Sequence, residues 1–218
     1  MKPMKREGKR RFAGFTLLEL LVVISIILAM AVLLVPAFNN IGKANALSNT
    51  GNSLANLAAI AQQNSMAKNT LTALIIPVGD SGWNSAALYE LTSRDDGSAP
   101  TSSDWRQISK WEIFPEGITI DQTTFVDESK SSLLPAPLPA IKRGGNTVGN
   151  YCFVAFLPRG TLYSQTLPAS GNPSLRLVQA IRTGSAVKYT GATEGGVPKN
   201  IYEILILSST GITKINRS

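Results

Sequence analysis

The sequence predicts an α+β protein in which one long N-terminal helix packs on an antiparallel β-sheet. Residues 15–35 form an unbroken apolar run, and a helical pattern of apolar residues continues beyond it. Short strand-like segments then follow one another without helices between them, which favours antiparallel pairing. The chain has 218 residues, which is enough for one folded domain and an appendage.

The pattern divides the chain into four segments. We expect a basic leader peptide over residues 1–14, a transmembrane helix over 15–36, an amphipathic continuation of that helix over 37–70, and a periplasmic β-sheet domain over 71–218.

Composition and charge exclude several classes of protein. The chain has no histidine, which excludes His-based triads and zinc sites that need His. A single cysteine, Cys152, excludes an intramolecular disulfide. The formal charge is +7, but residues 1–14 hold six of the 21 basic residues and one of the 14 acidic ones. A nucleic-acid-binding protein needs a basic patch on its folded body, so we expect no nucleic-acid partner.

The apolar run over residues 15–35 predicts a membrane span. As a helix it would be about 32 Å long, which matches a hydrocarbon core about 30 Å thick. The basic residues before it predict a cytoplasmic leader and a single-pass protein of the inner membrane. A cleaved secretory signal is an alternative, but the run exceeds the usual apolar length of such signals. A plain signal anchor is a second alternative, but it does not explain an acid within the span. A buried core helix is a third, but a 21-residue helix that is apolar on all sides does not suit a domain this small.

That acid, Glu19, is the most informative residue of the span. A carboxylate in an apolar span is costly, so it marks a functional position and calls for a partner. If the chain is cut between Gly14 and Phe15, the Phe15 amine becomes a charged N-terminus. Glu19 of a staggered neighbour could then meet this amine, and opposite charges attract strongly where water is scarce. The pair would select one axial stagger between subunits.

The N-terminal segment resembles type IV prepilins and type II secretion pseudopilins. The resemblance rests on the basic leader ending in Gly14, the sequence Phe15-Thr16-Leu17-Leu18-Glu19, and the apolar run after it. It implies cleavage between Gly14 and Phe15 by a prepilin peptidase, and N-methylation of the Phe15 amine. It also implies that Phe15 and Glu19 act in assembly, and that the chain is the substrate of an enzyme and not an enzyme itself.

Pro36 follows the apolar run and predicts a kink, because helical patterning resumes after it. Apolar residues recur there at steps of three, four or seven: Phe38, Ile41, Leu47, Leu54, Leu57 and Ala61. Gly42 and Gly51 weaken this part of the helix. Pilins often carry a proline at the position of Pro36, so the resemblance implies a role for it in assembly.

The pattern of the remaining residues predicts mainly strands and loops. Strands are predicted over residues 117–121, 151–157, 175–181, 201–207 and 212–215. Residues 72–78 form either a short strand or an extended exit from the helix. Residues 86–91 favour a short helix. Residues 129–150 contain the run LPAPLPA, which favours an extended, exposed loop.

Three body segments resemble the FimT/GspH group of minor pseudopilins. They are the strand approach Trp111–Ile118, the turn Phe156–Thr161 and the terminal hairpin Ile206–Ile212. The layout also resembles prepilin-like proteins of the Verru_Chthon cassette protein D family, with Pro198-Lys199-Asn200 before the last hairpin. Arg159 stands where the FimT/GspH group usually has aspartate, and we interpret it as a surface turn position.

The sequence gives only weak signals for a catalytic or metal-binding site. Glu112, Glu116 and Asp121 are spread along the chain and are interpreted as solvated acids. Asp95-Asp96-Gly97 offers few of the oxygens that calcium requires. Cys152 is interpreted as a small buried side chain. The tryptophans Trp83, Trp105 and Trp111 form either an exposed binding surface or part of the packing on the sheet.

These observations predict a structural subunit, a minor pseudopilin of a type II secretion pseudopilus, without cofactor or metal. The expected partners are other pilin or pseudopilin subunits, the prepilin peptidase/N-methyltransferase, the inner membrane, and a secretion or pilus assembly platform. One alternative is a minor type IV pilin that acts in adhesion, motility or DNA uptake. Another is a membrane-anchored binding domain that does not polymerise.

Overall fold

The computed structural model describes residues 15–78, 84–92, 97–169, 171–183, 186–191 and 193–217, except for the side chains of residues 33–41. The chain divides into two compact units, Met1–Gly42 and Lys43–Ser218. Each unit is described by itself.

The helix α1 spans Leu17–Ala67, so the long helix predicted from the apolar pattern is present. It ends three residues before the predicted boundary at residue 70. Asn69 has a φ of 52°, in the left-handed region that asparagine tolerates at a helix C-terminus. The Thr70 amide then donates to the Ser65 carbonyl at 3.1 Å, which closes the last turn.

Fifteen strands lie within the described residues. They are β1 Thr72–Val78, β2 Ser85–Leu91, β3 Trp105–Gln107, β4 Glu112–Ile113, β5 Ile118–Thr123, β6 Val126–Asp127, β7 Lys142–Arg143, β8 Asn146–Thr147, β9 Asn150–Phe156, β10 Ser174–Thr183, β11 Ala186–Tyr189, β12 Thr193–Glu194, β13 Val197–Pro198, β14 Ile201–Ile206 and β15 Thr213–Arg217. Three 3-10 helices span Ser102–Asp104, Glu128–Leu133 and Ser164–Thr166.

The strands form two main antiparallel sheets rather than the single sheet predicted. The first sheet has the order β3-β2-β1-β9-β6, with β4 also pairing with β2. The second sheet has the order β11-β10-β14-β15, with β5 also pairing with β10. The ladders β7–β8 and β12–β13 are separate two-stranded pairs. The α+β class with antiparallel strands is therefore confirmed.

The five predicted strands are all present and residues 72–78 form β1, but the short helix predicted at residues 86–91 is wrong. That segment is β2, and it is buried along its whole length. Alanine and leucine favour helices in isolation. Here Leu88 stands opposite Leu74 of β1, and Ala87 opposite Ile75, so burial between paired strands decides the structure.

The main core lies between the second half of α1 and the inner faces of both sheets. The helix contributes small and branched residues, among them Leu47, Leu54, Ala58 and Ala61. Because alanine side chains are short, the helix backbone can approach the sheets closely. Leu57 is half-buried against this core. The predicted stripe is confirmed where it is described, and Phe38 and Ile41 lie outside the described side chains.

The prediction of an exposed loop at residues 129–150 is wrong for its proline-rich part. Leu134, Ala136, Leu138 and Ile141 are buried in a second apolar cluster on the outer face of the first sheet. The prolines between them face solvent or are half-buried. The segment therefore covers the sheet, and this explains why β1, β2 and β9 are apolar on both faces.

Candidate processing and assembly site

The helix begins at a capping box formed by Thr16 and Glu19. The Thr16 amide and hydroxyl both donate to Glu19 Oε2, each at 3.0 Å. The Glu19 amide donates in return to Thr16 Oγ1 at 3.1 Å. These bonds satisfy backbone donors that the first turn of a helix leaves without partners.

Sequence reasoning assigned Glu19 one role and missed this second one. The pattern Thr-x-x-Glu before an apolar run was the signal that could have revealed it. Within the described residues of one chain, Glu19 already has a local partner. Both bonds use Oε2, and a carboxylate can accept at each of its oxygens, so capping leaves Oε1 able to accept from an amine on another subunit.

Phe15 lies immediately before this cap and is 82% exposed. The peptide bond predicted to be cut therefore precedes the first helical residue in the sequence. Cleavage there would leave the Thr16 amide intact as a donor to Glu19, because that amide belongs to the next peptide bond. The capping box is thus compatible with both the uncut and the cut chain.

The described part of the apolar run presents large apolar side chains on all sides of the helix. Exposed members include Leu17, Leu21, Ile24, Ile27, Leu28 and Val32. Ser25, its one internal hydroxyl, donates to the Leu21 carbonyl at 2.7 Å, so its polar group is satisfied within the helix. Such a surface requires an apolar environment or apolar partners to cover it.

Two of the predicted site residues lie outside the described part of the chain. They are Gly14 and the side chain of Pro36, with the kink predicted there. Among the fully described residues, no helix is both long and apolar enough to cross a membrane. The predicted span extends into residues 33–41, whose side chains are not described, so the span stays a prediction.

In the second unit, two of the turns singled out in the sequence meet at one helical side chain. Gln62 Nε2 donates to the Gly160 carbonyl at 3.0 Å and to the Thr210 carbonyl at 2.5 Å. The first carbonyl belongs to the turn after β9 and the second to the turn between β14 and β15. Gln62 therefore fixes both turns against α1.

Both turns need glycine where they approach each other. Gly160 and Gly211 have φ values of 83° and 69°, which other residues rarely adopt. A Cβ atom on Gly211 would collide with the Gly160 carbonyl oxygen, and one on Gly160 would lie 2.7 Å from Met66 Sδ. The two glycine turns are thus parts of one packed junction, although their sequence motifs are far apart.

A buried carboxylate joins the end of α1 to the first sheet. Glu90 on β2 accepts hydrogen bonds from Lys68 Nζ at 2.6 Å, from Asn64 Nδ2 at 3.0 Å and from Arg106. Its side chain is only 4% exposed. Burial disfavours its charged form, but the hydrogen bonds from Lys68, Arg106 and Asn64 outweigh burial and lower the pKa of Glu90 to about 2.

The other candidate acids lie apart from one another and make separate contacts. Asp121 forms a bidentate ion pair with Arg176, with N–O distances of 2.8 and 2.6 Å. Glu112 accepts from Ser53 of α1 at 2.8 Å, and Glu116 is exposed. The described residues contain no cluster of acids or cysteine that could hold a metal ion. Asp95 and Asp96 lie outside the described residues.

The remaining reactive or aromatic candidates pack on the sheet. Cys152 is 4% exposed, and burial raises the pKa of its thiol to about 12, so it is an unreactive core residue. Trp105 is buried and Trp111 is half-buried, as the packing alternative predicted. Trp83 lies outside the described residues.

Comparison with known proteins identifies the N-terminal segment. Residues 9–35 match the family model of the prokaryotic N-terminal methylation motif. The chain therefore carries the prepilin motif on the residues that suggested it in the sequence, and this match supports a type IV pilin-like or pseudopilin subunit.

One solved structure shares a loose likeness with this chain. It is the minor pseudopilin EpsH from the type 2 secretion system of Vibrio cholerae, with 7% sequence identity and a TM-score of 0.40. The likeness covers 79% of this chain and 95% of that chain. At this identity and TM-score it carries no functional argument. No curated protein matched the sequence.

Proposed function

We propose that the chain is a minor pseudopilin, a structural subunit of a type II secretion pseudopilus. Its N-terminal segment anchors it in the inner membrane, and its second unit lies in the periplasm. A prepilin peptidase cuts between Gly14 and Phe15 and methylates the new amine. The matched methylation motif over residues 9–35 is the observation that carries this proposal.

The described side chains support an assembly role. The apolar side chains of the stem are exposed in the single chain and would be covered by lipid and then by neighbouring stems. The two glycine turns that resemble those of the FimT/GspH group are packed together by Gln62, which favours the pseudopilin over a generic anchored domain. A minor type IV pilin shares the same stem.

In this proposal the Glu19 carboxylate neutralises the Phe15 amine of an adjacent subunit. The capping box supports it indirectly, because it orients the carboxylate at the helix N-terminus in the same turn as the amine. Two buried opposite charges attract strongly only when both are present. Removal of the charge should therefore block insertion into the filament without affecting the fold of the second unit.

Capping and charge can be separated by choice of substitution. Glu19→Gln keeps the capping box, since glutamine also serves at this position, but it removes the charge. Thr16→Val removes the cap hydroxyl and keeps the charge. We expect Glu19→Gln to lower incorporation into sheared filaments at least tenfold with normal membrane insertion, whereas Thr16→Val keeps most of it.

Processing is tested in parallel by mass spectrometry of the mature chain in its own host. The expected N-terminus is methylated Phe15, and an intact leader would contradict the proposal. Equal incorporation of Glu19→Gln and the unmodified chain would refute the charge pair, whereas absence of both chains from the filament fraction would favour a non-polymerising anchor. Quantitative immunoblotting of membrane and filament fractions provides the measurement.

A further inference from the structure

The outer face of the first sheet holds an extended proline-rich segment, Leu133–Lys142, which we call the strap. Leu134, Ala136 and Leu138 are buried, while Pro135 and Pro137 are exposed. The strap therefore packs an apolar side chain against the sheet at every second position. Leu134 has φ −71° and ψ 156°, close to the polyproline II values that proline enforces on its neighbours.

The strap lies in a groove lined by aromatic residues of the first sheet. The second apolar cluster joins its buried side chains with Tyr89 of β2, Trp105 of β3, and Tyr151 and Phe153 of β9. Aromatic grooves are the usual receptors of proline-rich segments, because the preformed extended chain loses little entropy when it docks.

Three aromatic side chains donate hydrogen bonds to carbonyl groups of the strap. Trp105 Nε1 donates to Ala136 O at 3.0 Å, and Trp111 Nε1 donates to Lys142 O at 3.1 Å. Tyr163 donates its hydroxyl to Leu133 O at 3.1 Å. Proline has no amide hydrogen, so a proline-rich chain offers mainly carbonyl acceptors. The groove therefore supplies the donors that such a chain needs along its length.

The strap belongs to a loop whose two ends are adjacent. The loop connects β6 to β9, and these strands pair directly, with Asp127 opposite Cys152. Trp105 lies on β3, the edge strand opposite β6 in the sheet order. The loop thus crosses the sheet and returns to its origin. The pairing of β6 with β9 does not use any strap residue, so departure of the strap would leave this ladder intact.

We propose that this face is a binding groove for extended segments in which apolar residues alternate with proline, and that the strap occupies it in cis. The partner that fits is a protein segment of the same chemistry, supplied by another component and docked in place of the strap. This proposal rests on the groove alone and holds whether or not the chain is a pseudopilin subunit.

A strap-deleted full-length chain in detergent tests the proposal. Residues 129–148 are replaced by a short Gly-Ser turn, which joins β6 to β9 directly. The probe is a labelled synthetic peptide with the sequence of residues 133–142, followed by fluorescence anisotropy. We expect saturable 1:1 binding to the deleted chain. A tethered ligand competes at an effective concentration of the order of 1 mM, so ~10 μM peptide should not bind the unmodified chain.

Matched variants identify the contacts. Trp105→Phe in the deleted chain removes one donor and should weaken peptide binding about three- to tenfold. A peptide with alanine at all three proline positions should bind at least tenfold more weakly. Absence of peptide binding to a folded deleted chain, equal binding of the alanine peptide, or self-association of the deleted chain through the bare face would each overturn the proposal.

Hydrogen exchange of the unmodified full chain gives a readout that does not depend on the deletion. The indole N–H groups of Trp105 and Trp111, which donate to strap carbonyls, should exchange through local opening, well before the amides of β9. If both sets exchange together, only in global unfolding, then the strap is a fixed part of the core and the groove is not available. Should the deletion prevent folding, Ala136→Asp displaces the strap by placing a charge at a buried position.

Discussion

Gly51 lies on the helix face that meets the second sheet, and its replacement by alanine is a sharp test of how the second unit packs. A Cβ atom at this position would collide with the Tyr202 ring at Cδ1, Cε1 and Cγ. Tyr202 is 1% exposed and cannot simply move away. Its hydroxyl donates to Asn52 Oδ1 at 2.5 Å, and the Arg217 guanidinium lies 4.9 Å from its ring centre.

Two effects of opposite sign decide the magnitude. Replacing glycine by alanine inside a helix favours the helix by about 0.5–1 kcal/mol. Forcing an added methyl group into a packed core costs about 1–3 kcal/mol. Since the added atom would overlap three ring atoms held in place on both sides, we expect the upper part of that range. The net loss of stability should be about 1–2 kcal/mol.

Gly42→Ala is the matched control, because no atom lies within 4 Å of the added Cβ at that position. It should leave the unfolding midpoint unchanged or raise it slightly. Thermal unfolding followed by circular dichroism should show Gly51→Ala lowered by about 2–8 °C at 2–4 °C per kcal/mol. In the double variant with Tyr202→Val, the two losses should be strongly non-additive. A Gly51→Ala midpoint at or above that of the unmodified chain would refute the packing argument.

Two further changes test the contacts at the C-terminal end of α1. The pKa of Glu90 is lowered from its ordinary value near 4.5 to about 2, so Glu90 contributes stability that is present above pH ~4.5 and is lost as pH falls towards 2. Glu90→Gln should therefore destabilise the unit at pH 7. It should also weaken the pH dependence of the free energy of unfolding below pH ~4.5, measured by urea unfolding at a series of pH values. The exposed control Glu116→Gln should do neither. Gln62→Leu removes the donor shared by two turn carbonyls, so it should lower the free energy of unfolding by about 1–3 kcal/mol and speed amide exchange at Gly160 and Gly211. Gln63→Leu, on the exposed side of the helix, should change little. Unchanged exchange at both glycines would contradict the junction.

The helix and the strands were predictable from the sequence because their patterns are strong and local. The run over residues 151–157 is apolar on both faces and proved to be β9, central in the first sheet. Residues 86–91 were mistaken for a helix because their intrinsic preference opposes the structure. The pairing of Leu88 with Leu74 is not visible in the sequence near either residue, and such distant pairing decides a strand.

The strap shows a different reason for failure. Prolines at every second position favour an irregular, exposed loop by composition, yet the residues between them are Leu134, Ala136 and Leu138, and these are buried. Alternation of apolar and other residues is the pattern of a chain that buries one face. The prediction rested on composition alone, and the alternation that matches the observed burial was not used.

The candidate site was predictable in its residues but not in its geometry. The sequence singled out Phe15 and Glu19 through the cost of an acid in an apolar run. It also placed Gly160 and Gly211 in turns, but nothing in either motif names Gln62, which holds both. A contact between residues so distant in sequence depends on how strands are ordered in space, and one sequence does not contain that order explicitly.

The capping box changes what the acid in the motif can be taken to mean. A Thr-x-x-Glu pattern stabilises many helix N-termini, so the presence of Glu19 alone is explained by the start of a helix. A cap needs a hydrogen-bond acceptor, which glutamine supplies as well, whereas neutralisation of an amine needs a negative charge. The comparison of Glu19→Gln with Thr16→Val therefore decides whether the carboxylate is present for the helix or for the neighbouring subunit, and no comparison with alanine alone could separate the two.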